Sequence, residues 1–151
     1  MRMNRTAAAA LWLSIVALAA FGPNMISRAF AADPLGTWYT EGRDSQVRIG
    51  KCGSALCGTL VWLKEPNGED GQPRTDKENA DPSKRSRPLL GVQIVLGLRP
   101  SSAPDEWDGK VYNAKDGKTY TGSFTMMGPN TAELKGCIMV FCKSQTWTRA
   151  K

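Results

Sequence analysis

Thr119-Tyr120-Thr121-Gly122-Ser123-Phe124-Thr125-Met126 alternates without a break. Tyr120, Gly122, Phe124 and Met126 fall on one side and Thr119, Thr121, Ser123 and Thr125 on the other, the pattern of a β-strand with one dry face. Upstream, Trp107 to Asn113 alternates in the same way, and Lys115-Asp116-Gly117-Lys118 supplies an Asp-Gly turn that joins the two as a hairpin. Downstream, Gly128-Pro129-Asn130 turns the chain into strands expected over Thr131 to Ile138 and Lys143 to Arg149. Toward the N-terminus, Gly36 to Thr40, Gln46 to Ile49, Thr59 to Leu63 and Val92 to Leu98 complete a set of about eight short strands at hairpin spacing. Helical periodicity is missing from this part of the chain. The expected fold class is all-β, an antiparallel up-and-down β-barrel of about eight strands, because closure buries each apolar face and removes exposed edges. A two-sheet sandwich is the other architecture the pattern permits. Residues 64–88, with Pro66, Pro73, Pro82, Pro88 and dense charge, read as one long irregular loop.

The first 31 residues read differently. Arg2 and Arg5 precede an apolar run from Ala7 to Phe21, and Ala29-Phe30-Ala31 offers the small residues of a signal-peptidase site. Residues 1–31 are therefore expected to be a cleaved signal peptide and 32–151 a single barrel domain, periplasmic or secreted. The apolar run falls short of the roughly 20 residues that span a bilayer, so no stable membrane insertion is expected after cleavage. The formal charge of +6 includes Arg2, Arg5 and Arg28; without them 17 Lys and Arg face 14 Asp and Glu, a net +3. That modest excess, with no recognition motif, argues against a nucleic-acid partner. The one basic cluster, Lys84, Arg85 and Arg87, reads either as a solvated loop or as a patch for an anionic partner.

Four cysteines repeat one spacing, Cys52 with Cys57 and Cys137 with Cys142. In an oxidising compartment this reads as disulfides, and a short loop such as Gly53-Ser54-Ala55-Leu56 places the flanking cysteines across a hairpin, so Cys52–Cys57 and Cys137–Cys142 are the expected bridges. A zinc site is the weaker alternative, since the chain has no His.

Chemistry is sparse. Without His, and with the cysteines expected to be oxidised, nucleophilic catalysis lacks a base and a thiol. Asp70, Asp76, Glu78 and Asp81 crowd the long loop but do not match a calcium-loop pattern, and read as a solvated acidic stretch. No catalytic residue, metal or cofactor is expected, and the chain reads as a non-enzyme. Trp38, Trp62, Trp107, Tyr120, Phe124 and Trp147 lie on strands and suit core packing, yet an eight-stranded barrel is also wide enough for one small ligand. The expected ligand is a small apolar or amphipathic molecule touching Trp107, Tyr120, Phe124 and Met126, in space left by Gly122, under a cover that includes Arg87 and Leu90. The alternative is a non-enzymatic envelope interaction module with a solid core, its partner unspecified.

Gly36-Thr37-Trp38 near the start of the barrel resembles the Gly-x-Trp signature of lipocalins, and Arg149 stands where their last-strand Arg lies across that Trp. The resemblance implies a barrel plug made by Trp38 and Arg149, a cation–π contact worth roughly 1 to 2 kcal/mol. A second resemblance runs from Asp33 to Arg149. It is carried by Gly36-Thr37-Trp38, Cys52-Gly53 with Leu56-Cys57-Gly58, Val61-Trp62-Leu63, the segment Asp76 to Asn79, Arg87-Pro88-Leu89-Leu90-Gly91, Trp107 with Gly109-Lys110-Val111-Tyr112, Asp116-Gly117-Lys118-Thr119-Tyr120 and Gln145-Thr146-Trp147-Thr148-Arg149. These residues resemble the exported bacterial family called domain of unknown function 2147, which implies a lipocalin-like barrel outside the cytoplasm and no particular reaction.

Overall fold

The computed structural model describes residues 32–151; the expected signal peptide lies outside the described residues. Eight antiparallel strands close into a barrel in chain order. They are β1 (Gly36–Tyr39), β2 (Ser45–Cys52), β3 (Ala55–Leu63), β4 (Gln93–Pro100), β5 (Glu106–Asn113), β6 (Lys118–Gly128), β7 (Thr131–Ile138) and β8 (Phe141–Arg149). The antiparallel barrel expected from the alternating pattern is the fold, and it is lipocalin-like, as the two resemblances implied. Alternation carries through the register: Trp107 pairs with Phe124 and Gly109 with Gly122 across β5 and β6, while Ala132 pairs with Trp147 across β7 and β8.

Two hairpins are tighter than their cysteine spacing suggested. Ala55 and Leu56 belong to β3, so the β2–β3 turn is only Gly53-Ser54, which Gly53 allows by taking a φ of +65°. The β7–β8 turn is Met139-Val140, between Ile138 paired with Phe141. Disulfides join Cys52 to Cys57 and Cys137 to Cys142, and no described cysteine is free.

Closure is narrowest between β1 and β8, which pair only at Trp38 with Arg149 and Tyr39 with Thr148. The first six residues of β8 are exposed throughout. The core gathers Trp38, Val47, Ile49, Leu60, Val95, Leu98, Phe124, Met126, Ala132 and Trp147. Trp62, one of the strand aromatics, stays partly exposed: a bulge at Gln46/Val47 carries it onto the outer wall, where it meets the Tyr39 ring edge-on at 6.1 Å.

Candidate functional site

The connections alternate between two ends of the barrel. One end, the base, holds the start of β1 and the β2–β3, β4–β5 and β6–β7 turns; the other, the mouth, holds residues 40–44, the long segment 64–92 and the β5–β6 and β7–β8 turns.

At the base, the Arg149 guanidinium lies 4.3 Å over the Trp38 ring. The same group donates to the carbonyls of Leu35 (Nη1, 2.7 Å), Asp33 (Nη2, 2.6 Å) and Pro129 (Nε, 2.9 Å), and Trp38 Nε1 donates to Pro34 O at 3.0 Å. One planar cation thus ties the incoming chain, the β6–β7 turn and the first strand together, a use of the guanidinium fork that Lys cannot reproduce. Above this plug, Phe124 stands edge-on between Trp38 (5.6 Å) and Trp147 (5.9 Å). These three rings are fully buried and form a solid floor.

Gly122 leaves no room for a ligand. A Cβ there would stand 2.7 Å from Lys135 O and 2.9 Å from a Val111 methyl, so its missing side chain is what lets β5, β6 and β7 pack. The space that the sequence suggested was vacant is filled by Val111.

The inward face changes character toward the mouth. Ala132 and Trp147 are a buried inward pair, so every second pair along the hairpin, Leu134 with Gln145, Gly136 with Lys143 and Ile138 with Phe141, shares that face. Yet Gln145, Lys143, Ile138 and Phe141 are exposed. Tyr120, on the same face of β6, is half-buried, and its hydroxyl donates to the Asp116 carboxylate, which with partial burial raises the phenol pKa. The mouth half of the β6–β7–β8 wall is therefore an uncovered surface of aromatic, aliphatic and cationic groups above the Trp147 floor. Two surface recesses lie elsewhere: one of about 560 Å³ at the base beside Asp33, Met126 and Arg149, and one of about 670 Å³ outside the β1–β8 seam beside Tyr39 and Arg43.

The long segment is a solvated acidic stretch only in part: Asp70 and Glu78 are exposed, and Asp76 is the exception. Asp76 is fully buried: Oδ1 accepts from Tyr112 Oη at 2.6 Å, and Oδ2 from Asn79 Nδ2 at 2.7 Å and from Arg87 Nε (3.0 Å) and Nη2 (2.7 Å). Burial alone would raise the Asp76 carboxyl pKa, but the bonds from Tyr112, Asn79 and Arg87 and the guanidinium charge hold it below the usual carboxylate range. Burial and the neighbouring carboxylate push the Tyr112 phenol up to about 12. The basic cluster is spent the same way, with Arg87 on Asp76, Arg85 Nε on Asn79 O (2.8 Å) and Lys84 on Asp81 (3.2 Å). No group of acidic, His or Cys side chains suited to a metal ion occurs among the described residues.

The residues singled out for a ligand are thus divided. Phe124 and Met126 are buried in the core, Trp107 packs half-buried against it, and Tyr120 reaches the mouth wall. Arg87 is locked to Asp76 on the outer side of β5, and Leu90 is exposed beyond it. Two features escaped the sequence reading. Asp76 looked like its exposed acidic neighbours, although Tyr112, on the wet side of a strand, was a polar partner in want of a cover. The apolar run Ile138 to Phe141 was divided between the end of one expected strand, at Ile138, and the connection that follows it.

A family described as "Uncharacterized protein conserved in bacteria (DUF2147)" matches residues 36–149. No curated protein matches the chain in sequence. Among solved structures, protein HP1028 from the human pathogen Helicobacter pylori, described as belonging to the lipocalin family, superposes with a TM-score of 0.66 at 22% identity, over 80% of this chain and 84% of that one. This likeness concerns the fold.

Proposed function

Because the chain belongs to the DUF2147 family of bacterial proteins and folds as a lipocalin-like barrel, we propose that it is a non-enzymatic binding protein of the cell envelope, periplasmic or secreted after loss of residues 1–31, that takes a small amphipathic molecule in a shallow cup at the barrel mouth. One observation carries this reading: Ile138, Phe141 and Lys143 occupy inward-facing register positions and are nevertheless exposed, above a floor that is fully packed. An apolar body would lie against Tyr120, Ile138 and Phe141, and an anionic head would meet the Lys143 ammonium. Few polar groups beside an apolar wall is the usual composition of a small-molecule site. The Trp38–Phe124–Trp147 floor keeps the ligand out of the lower barrel, so a deep calyx is not part of the proposal. The two disulfides support an oxidising compartment.

Titration with a fluorescent fatty acid, read by energy transfer from tryptophan, tests this. Saturable binding that Lys143→Glu and Ile138→Asp each weaken about tenfold or more is expected. Unchanged affinity in both variants would refute the cup. The packed floor also favours a second reading, an envelope interaction module with a solid core, and a wild-type protein that binds no probe at all would select it.

A further inference from the structure

The β7–β8 hairpin ends in four consecutive apolar side chains turned to water. Ile138, Met139, Val140 and Phe141 are 42%, 91%, 85% and 79% exposed. A scattered exposed apolar residue needs no explanation, but four in sequence at the apex of a projecting hairpin form a patch. Beyond its first paired residues β1 gives β8 no partner, so the mouth half of β8 is an open edge, while β7 stays paired with β6 as far as Cys137.

The turn chemistry makes the composition more telling. Met139, the first turn residue, has a φ of +54°, and Val140 is not in the left-handed region. A two-residue turn of that kind suits Gly at its first position, and a side chain there is held against a steric cost. Apolar bulk is thus present where turn formation alone would select Gly and a polar residue. The Cys137–Cys142 bridge lies one pair below and holds the strands in register despite the unfavourable turn.

Charge points to the occupant. On the mouth half of the hairpin, from Leu134 to Gln145, the chain contains Lys135 and Lys143 and no Asp or Glu. Two carboxylates do reach β8, Glu41, which accepts from Thr146 N, and Glu133, the register partner of Thr146, and both lie well down the strand from the tip. We propose that the tip docks this protein on a membrane surface rich in anionic lipid, with Ile138 to Phe141 entering the headgroup–acyl boundary and the hairpin lysines meeting lipid phosphates. An apolar insertion combined with cationic flanks is how peripheral proteins hold such surfaces without a spanning segment. The tip shares Ile138, Phe141 and Lys143 with the cup, but the proposal is tested at Met139 and Val140, which lie beyond the cup wall.

The test uses the full chain, in which any contribution of the N-terminal apolar run is common to all variants. Co-sedimentation is measured with vesicles of phosphatidylethanolamine and phosphatidylglycerol and with vesicles of phosphatidylcholine. M139G/V140S removes the apolar apex and supplies a favoured turn, so near-ultraviolet circular dichroism and the urea midpoint should be retained; Val140→Ser alone serves if they are not. At least tenfold weaker partition of the tip variant onto anionic vesicles is expected. Added salt and Lys135→Glu should weaken wild-type binding to anionic vesicles and leave binding to phosphatidylcholine unchanged. Equal partition of wild type and tip variants would overturn the proposal, as would indifference to lipid charge. A lipid-free dimer that the tip variant abolishes would also overturn it and assign the apex to a second copy of the chain.

Discussion

Asp76→Ala removes the carboxylate that, among the described residues, holds the long segment to the barrel wall through Tyr112. The side chain is fully buried and accepts four hydrogen bonds, two of them from Arg87. Breaking a buried ion pair by deleting one partner costs about 3 to 5 kcal/mol when the other is left dry. Two features soften the loss. The Arg87 side chain is 39% exposed and can turn to water, and Asn79 Nδ2 still donates to Tyr112 Oη at 2.9 Å. The expected loss is therefore about 2 to 4 kcal/mol, or a fall in the urea midpoint of roughly 2 to 4 M for an m-value near the lower end of the usual range, about 1 kcal/mol per M. The release should be seen locally as well, as faster tryptic cleavage after Lys77, Lys84 and Arg85. Because the folded carboxyl has a depressed pKa, its stabilisation is complete above the ordinary value of about 3.9 and is lost as pH falls below it. The gap between wild type and variant should then narrow below about pH 4. A midpoint shift under about 0.3 M together with unchanged cleavage would mean that the Asp76 network does not anchor the segment.

Arg149→Ala should cost about 2 to 4 kcal/mol in urea unfolding, since it removes the stack on Trp38 and three bonds to carbonyls; a loss below about 0.5 kcal/mol would deny the plug a structural role. Gly122→Ala should cost about 1 to 3 kcal/mol, because its Cβ would meet the Lys135 carbonyl, which is backbone and cannot swing away. A neutral thermal melt would show that the β6–β7 pair has slack. Peptide mapping without reduction should recover Cys52 with Cys57 and Cys137 with Cys142, and any peptide joining the two hairpins would contradict the observed pairing.

Alternation from Thr119 to Met126 was enough to give a strand, its dry face and, repeated along the chain, an antiparallel barrel, because period-2 patterning is a local property that any closed antiparallel sheet must satisfy. Gly36-Thr37-Trp38 and Arg149 were likewise legible as a pair, since each carries its own chemical identity. The state of the interior was not legible. Whether Gly122 marks a cavity or a close contact depends on Val111 and Lys135 O arriving from neighbouring strands, and no window of sequence contains that distance. Asp76 was indistinguishable from Asp70, Glu78 and Asp81 until tertiary structure brought Tyr112 and Arg87 to it from β5 and from later in the loop. The same holds for the mouth: Ile138, Phe141 and Lys143 carry the inward register of β7 and β8, yet the tertiary structure leaves them in water. Face and strand follow from neighbours in sequence, whereas burial is fixed by neighbours in space.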